Sequence, residues 1–207
     1  MFCRGIFFVF VFVSLLNAQK IDEASDAYVA KEYKEAYAIY FNLAQNGDNK
    51  AQYNLGLMYK NAQGVTQNHQ KAFYWFRKSA QAGYLDSQYN VAWLYSNGMG
   101  VKKDMKKAYF WYLKSARKGH MVSANNVALL YLHGLGIKKD YKKAFYWYEL
   151  ASKAGIALSQ NNLGLMYYYG DGVEKNLQKA KYWIELSMMQ GNYKAGKNWK
   201  KFKFDEH

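Results

Sequence analysis

The stretch Ala51 to Gly83, AQYNLGLMYKNAQGVTQNHQKAFYWFRKSAQAG, decides the fold because the chain repeats its pattern every 36 residues. The register holds up to residue 191 without an insertion or a deletion. A fixed period of about 20 to 50 residues is typical of proteins in which similar units stack on one another. Five positions of the stretch return three times each: Ala51 as Ser87, Ser123 and Ser159; Gly64 as Gly100, Gly136 and Gly172; Ala72 as Ala108, Ala144 and Ala180; Trp75 as Trp111, Trp147 and Trp183; Gly83 as Gly119, Gly155 and Gly191.

Each unit contains two helical patterns. In the first half, Leu55 and Tyr59 are four residues apart and Gly56 lies beside them, so the three share one helix face that a neighbouring helix can approach closely. The second half carries an apolar stripe, which predicts a helix with one buried face. The stripe has spacings of three and four residues: Ala72, Trp75, Phe76 and Ser79.

Polar and glycine residues mark the ends of these helices. Asp and Asn are preferred N-cap residues because their side-chain oxygen accepts a first-turn N–H, and glycine at a helix C-terminus provides positive φ. The loops NAQGV, NGMGV, HGLGI and YGDGV follow a helix rather than a strand, so we interpret them as chain reversals and not as phosphate-binding loops. The predicted N-caps of the second helices are Asn68, Asp104, Asp140 and Asn176.

The combined pattern resembles a known repeat. It runs A-x-x-x-L-G-x-x-Y, then G-x-G-V, then D-x-x-K-A-x-x-W-Y-x-K-[AS]-A-x-x-G, and is similar to the Sel1-like repeat, a relative of the tetratricopeptide repeat. The resemblance implies an all-α, right-handed α/α superhelical solenoid that serves as a protein-interaction scaffold, often exported from bacteria. It predicts four repeats, at residues 50–85, 86–121, 122–157 and 158–193.

The two ends differ from the repeats. Residues 19–49 lack the glycine loop but end in phase, which predicts an N-terminal capping pair of helices whose acidic residues Asp22, Glu23 and Asp26 suit a first helical turn. Residues 194–207 predict a C-terminal capping helix and tail. Its polar surface comes from Lys194, Lys197, Lys200, Lys201 and Lys203.

Residues 1–18 predict a secretory signal peptide. Arg4 precedes an apolar run from Ile6 to Leu16, which is shorter than the roughly 20 residues of a membrane span. The alternative is an uncleaved interfacial anchor. We therefore expect a bacterial protein of the periplasm or the exterior, with no stable membrane span after cleavage. Cys3 is the only cysteine, so the mature chain would lack the cysteine pairs that resemblance places in cysteine-rich Sel1-like proteins.

Few residues suggest chemistry, and we predict no metal site, no cofactor and no catalytic residue. One alternative is Ser115, which with Lys118 fits the S-x-x-K motif of penicillin-recognising enzymes. Some cysteine-rich Sel1-like proteins are described as penicillin-binding or weakly β-lactamase-active, but Ser115 takes the packing position of Ser79 and no K-T-G motif occurs. The histidines share no metal-ligand spacing: His69, His120, His133 and His207.

Lysines form a periodic basic edge. Without Arg4 the chain has 28 basic and 15 acidic residues, a net charge of +13. Such an edge attracts an acidic protein, anionic lipid or anionic polysaccharide of the envelope. The expected export argues against nucleic acid, and the alternative role is a solvated edge that maintains solubility. The basic edge comprises Lys102, Lys103, Lys106, Lys107, Lys138, Lys139, Lys142 and Lys143.

The first helices predict a second binding surface. In the related tetratricopeptide architecture these helices line the concave groove, where asparagines and aromatic rings could hold an extended peptide. The alternative is that the asparagines bond only to neighbouring helices. We predict a monomer that binds a protein or peptide partner through this groove. The groove residues are Tyr53, Asn54, Tyr89, Asn90, Trp93, Asn125, Asn126, Asn161, Asn162 and Tyr168.

Overall fold

The computed structural model describes residues 19–204. Over this range the chain is all-helical, with eleven helices and no strand. The predicted signal peptide, residues 1–18, lies outside the described residues, as do residues 205–207. The helices are α1 (residues 19–29), α2 (Tyr33–Gln45), α3 (Asn49–Asn61), α4 (His69–Gln81), α5 (Leu85–Asn97), α6 (Met105–Ala116), α7 (Met121–His133), α8 (Tyr141–Lys153), α9 (Ala157–Tyr169), α10 (Leu177–Met189) and α11 (Tyr193–Lys201).

The helices group into two compact units. The first unit ends at Lys103 and the second begins at Asp104. Within each unit, from α2 onward, every helix packs against the next one along the chain, and the Ser25 hydroxyl of α1 lies 3.1 Å from the Tyr40 hydroxyl of α2. The apolar stripes meet in the interior, where Leu55 and Phe76 of the first unit and Leu163 and Ile184 of the second have no exposed surface. The predicted all-α repeat fold is therefore confirmed.

The predicted helix ends are also present. The side chains of the four N-cap residues accept a hydrogen bond from the backbone N–H three residues later, at 2.8–3.0 Å. The closing glycines, such as Gly83 with φ +100° and Gly155 with φ +86°, adopt the left-handed conformation. These local interactions set where each helix begins and ends.

The second glycine of each loop has a role beyond chain reversal. Its φ is +70° to +72°, and it packs on the backbone at the start of the second helix of the preceding repeat. Gly136 lies on Met105 of α6, and Gly172 lies on Tyr141 of α8, with no room for a Cβ. The loops therefore fix how one repeat sits on the previous one within a unit.

Buried glutamines supply a further repeated contact that the sequence pattern did not predict. Gln52 and Gln88 donate from Nε2 to the carbonyls of Ala44 and Ala80, both at 3.1 Å. Gln160 makes the equivalent bond in the second unit. Each of these carbonyls lies at the C-terminal end of the preceding second helix and also accepts the N–H of the closing glycine, so the glutamine supplies a second donor to that helix end.

Candidate functional site

The first-helix face of the first unit contains a partly buried aromatic cluster. Tyr53 on α3 packs against the rings of Phe76 and Tyr84, with centroids 5.9 and 5.0 Å away. Burial, with the nearby Asp86 charge as a smaller cause, raises the pKa of Tyr53 to about 12. Tyr53 therefore remains a neutral ring and hydrogen-bonding hydroxyl at neutral pH. Its neighbour Asn54 is also partly buried.

A lysine on α3 contacts two of the predicted groove residues on α5. Lys60 of α3 holds its Nζ 4.7 Å from the centroid of the Trp93 ring and donates to Asn90 Oδ1 at 3.3 Å. Burial lowers the pKa of Lys60 and raises that of Tyr89. The sequence did not predict Lys60, because its counterparts Ser96, Leu132 and Tyr168 share no property with it.

In the second unit the corresponding residues connect neighbouring first helices. Asn125 on α7 accepts a hydrogen bond from the Ser159 hydroxyl on α9 at 2.9 Å. Asn161 on α9 accepts one from Asn198 Nδ2 on α11 at 2.8 Å. Both asparagines are buried. The first helices therefore lie side by side, and these two side chains are engaged within the chain.

The remaining predicted groove residues lie in different surroundings. Asn126 donates to the Val122 carbonyl one turn earlier, so this hydrogen bond lies within its own helix. Asn162 is partly buried. Tyr168 stacks on Phe202 of the C-terminal segment, with ring centroids 3.8 Å apart and an interplanar angle of 16°. Partner binding by any predicted groove residue stays a prediction.

The lysines of the predicted basic edge are all exposed. In the second unit Gly136 and Gly172 pack on the backbone at the starts of α6 and α8, so each of these helix starts lies against the loop of the following repeat. Lys107 and Lys143 form exposed ion pairs with their own N-cap residues, Asp104 and Asp140, at 3.4 and 3.3 Å. Exposed pairs of this kind contribute little to stability.

The candidate nucleophile Ser115 is 0% exposed on α6, and Lys118 lies beyond the end of that helix. A substrate carbonyl has no access to the Ser115 hydroxyl in this structure. Within residues 19–204, no group of three or more His, Cys, Asp or Glu is placed to hold a metal ion. Over the same range, no helix is long and apolar enough to cross a membrane.

The sequence matches the Sel1 repeat over residues 49–84, 85–120, 122–156 and 157–192. The match covers more than half of the chain, which therefore belongs to the Sel1 repeat family, and the predicted resemblance is confirmed. Sel1 repeats are generally non-catalytic scaffolds that mediate interactions between proteins. Comparison with curated protein sequences yields no match.

Solved structures of other Sel1 proteins are similar to this chain. The protective antigen c5321 of uropathogenic Escherichia coli, described as displaying an SLR fold, superposes with a TM-score of 0.82 at 30% identity, over 86% of this chain and 39% of that protein. A Sel1 repeat protein from Oxalobacter formigenes gives 0.79 at 29% identity, over 84% of this chain and 71% of the other. This chain thus spans well under two thirds of the E. coli protein.

A cysteine-rich relative shares only the fold. The Helicobacter pylori cysteine-rich protein B gives a TM-score of 0.50 at 22% identity, over 62% of this chain and 92% of that protein. This likeness extends to the helical repeat alone. It carries no information about activity.

Proposed function

We propose that this protein is an exported scaffold that binds a protein partner on its first-helix face, with the basic edge adding electrostatic attraction. The observation that carries the proposal is the cluster of Tyr89, Trp93 and Lys60 on α3 and α5. All three side chains are partly buried and partly exposed. Partly exposed aromatic rings beside a positioned cation are typical of the residues that dominate binding energy in protein interfaces.

The contacts of Lys60 indicate the chemistry of the partner. Its ammonium group is held by the Trp93 ring and Asn90, so little side-chain freedom would be lost on binding. Burial disfavours its charged form and lowers its pKa, and a carboxylate placed against it would offset that cost. An acidic side chain next to an apolar one therefore fits this surface.

The basic edge would act mainly on the rate of association. Exposed lysines create a positive potential that steers an acidic partner towards the protein, and salt screens this effect. The partly buried cluster is screened less. Binding through the first-helix face is expected to persist at high salt, whereas binding through the edge alone is expected to be lost.

Export is supported by Arg4 and the apolar run that follows it. The proposal predicts that the protein recovered from the periplasm or the medium begins at Gln19. Fractionation of the source cells followed by N-terminal sequencing measures this directly. Recovery of the full chain from the cytoplasm would contradict export and leave the binding surface to be tested separately.

The central experiment is affinity capture from envelope extract with residues 19–207 as bait, at moderate and at high salt. A Tyr89→Ala/Trp93→Ala variant is compared with a Tyr74→Ala/Met189→Ala control, which removes two side chains that are 50% and 76% exposed on second helices. Circular dichroism confirms that both variants stay helical. The proposal expects a protein retained at high salt by wild type and control but lost from the Tyr89→Ala/Trp93→Ala variant. Retention by all three baits would contradict it.

A further inference from the structure

A row of aromatic side chains stands exposed on the second helices. Tyr74, Phe110, Tyr146 and Tyr182 recur every 36 residues and are 50%, 58%, 58% and 54% exposed. Each ring meets the tryptophan that follows it at close to a right angle, with centroids 5.0–5.4 Å apart. We name the three that lie in the second unit, Phe110, Tyr146 and Tyr182, the outer aromatic row.

The fold does not require these rings. In the capping helix α2 the same position holds Ala38, which is exposed, and the helix forms without an aromatic residue there. A ring that is more than half exposed adds little to the core and lowers solubility. The tryptophan beneath each ring restricts its motion, so less freedom would be lost when a ligand binds.

Lysines precede two rings of the row. Lys106 and Lys142, both exposed, lie one helical turn before Phe110 and Tyr146, whereas Lys107 and Lys143 pair with Asp104 and Asp140. Helix α6 contains no acidic residue. On α8, Glu149 is paired with Lys153 at 3.0 Å, and on α10 the exposed Glu185 lies one turn after Tyr182.

A lysine also follows Phe110. Lys114 Nζ lies 5.1 Å from the ring of Trp111, which packs against Phe110. A ligand that covers Phe110 therefore meets the ammonium groups of Lys106 and Lys114 on its two sides along the helix. The surface is complementary to a ligand that combines apolar flat faces with negative charge.

The row is also periodic, which restricts the ligand further. Within the second unit Gly136 and Gly172 pack in the same way on the starts of α6 and α8, so successive second helices are arranged alike. Phe110, Tyr146 and Tyr182 therefore follow one another on one side. One exposed ring per repeat, preceded by an exposed lysine at Phe110 and Tyr146, suits a ligand whose own units repeat. A bilayer has no such period, and the surface of a globular protein rarely has one.

We propose that the outer aromatic row binds a linear anionic polysaccharide of the polyuronate type. The C–H face of each sugar ring would pack on an exposed aromatic ring, and its carboxylates would pair with the flanking lysines. This surface lies on the second helices and uses none of the first-helix residues of the proposed protein site. The row shares Lys106 and Lys142 with the basic edge, so a bound polysaccharide would leave the first-helix site open but weaken the electrostatic attraction of that edge for a protein partner.

The test measures binding of polygalacturonate to residues 19–207 by calorimetry and tryptophan fluorescence. A Phe110→Ser/Tyr146→Ser/Tyr182→Ser variant is expected to raise the apparent Kd about tenfold or more, which corresponds to about 1.4 kcal/mol. A Val29→Ser/Leu158→Ser/Tyr193→Ser control removes exposed apolar side chains outside the row and is expected to keep the wild-type Kd. Neutral dextran is expected to bind far more weakly than polygalacturonate.

Three further probes separate the rings from charge alone and from other ligands: polyphosphate, vesicles of phosphatidylcholine with phosphatidylglycerol, and single-stranded oligothymidylate. Polygalacturonate binding that is absent, or unchanged in the row variant, would overturn the proposal. Ring-dependent binding only to the vesicles or to oligothymidylate would overturn it in favour of that ligand. The proposal would be supported if wild type and row variant bind polyphosphate equally while their binding of polygalacturonate depends on the rings.

Discussion

Gly164 on α9 faces Ile184 on α10, and the space between them is too small for a methyl group. A Cβ added at Gly164 would lie 2.6 Å from Ile184 Cγ1 and 3.1 Å from the Ala180 carbonyl oxygen. Carbon atoms in favourable contact are about 3.5–4.0 Å apart. Overpacking of this kind costs about 1–3 kcal/mol, while alanine gains about 0.5–1 kcal/mol over glycine inside a helix. We therefore expect Gly164→Ala to destabilise the protein by about 1–2 kcal/mol.

Thermal unfolding followed by circular dichroism measures this effect. For a chain of this length, the expected loss corresponds to a fall in Tm of about 2–8 °C. The matched control is Gly196→Ala on α11, where a Cβ would meet only Met188 Cγ, at 4.0 Å. Without a clash, the control is expected to leave the Tm unchanged or to raise it slightly through helix propensity.

A second substitution identifies the clash as the cause. Ile184→Ala alone is expected to cost about 2–5 kcal/mol, because it leaves a cavity in the core. In the Gly164→Ala/Ile184→Ala double variant the new methyl group occupies part of that cavity, so the total loss is expected to be smaller than the sum of the single losses. The reasoning is wrong if Gly164→Ala is as stable as Gly196→Ala, or if the two single losses are additive.

Three further predictions concern the loops, the helix caps and a buried tyrosine. Gly136→Ala is expected to lower the Tm more than Gly155→Ala, since both have positive φ but only Gly136 also packs on backbone; equal losses would remove the proposed role in stacking. The backbone N–H groups of Lys107 and Lys143 lower the pKa of Asp104 and Asp140, so their stabilisation is present above the unfolded pKa of about 3.9 and is lost as the pH falls through the folded pKa. Asp104→Asn/Asp140→Asn should therefore weaken the acid-side fall in Tm, and an unchanged fall would contradict this. Burial raises the pKa of Tyr109 to about 12, so its contribution is lost as the pH rises from about 10 towards that value. Tyr109→Phe should remove one late-titrating phenol from the alkaline absorbance titration and cost about 0.5–1.5 kcal/mol through the lost hydrogen bond to Tyr131. Loss of a phenol that titrates near pH 10 instead would contradict the prediction.

The candidate binding surfaces could be predicted only in part. The exposed lysines followed from their charge and period, because an ammonium group is rarely buried. Tyr53 and Asn125 occupy the same repeat position, yet Tyr53 packs on aromatic rings whereas Asn125 bonds to the next first helix. Their contact partners lie some 20 to 35 positions away in the sequence. The repeat period predicts that such residues are near one another, but it does not predict which atoms are in contact.

The outer aromatic row could have been found from the sequence and was missed. Its residues, like Tyr74 of the first unit, lie directly before the tryptophans, inside runs such as AFYWF, whose apolar stripe of Ala72, Trp75 and Phe76 leaves Tyr74 unassigned. Adjacent residues on a helix point about 100° apart, so Tyr74 cannot share a face with both Trp75 and Phe76. An aromatic residue that recurs on the polar side of the stripe was the available signal.

The sequence by itself determined the period, the two helices of each repeat, their caps and the glycine that ends each second helix. These features are local, since helix periodicity, an Asn68 side chain bonding three residues ahead and a positive φ at Gly83 act within a few residues. Only the tertiary structure decided that Gly136 packs on α6, that Gln52 bonds to Ala44, and that Lys60 is held on Trp93. Those contacts join different helices, and their energies depend on close approach and burial that arise once the repeats have stacked.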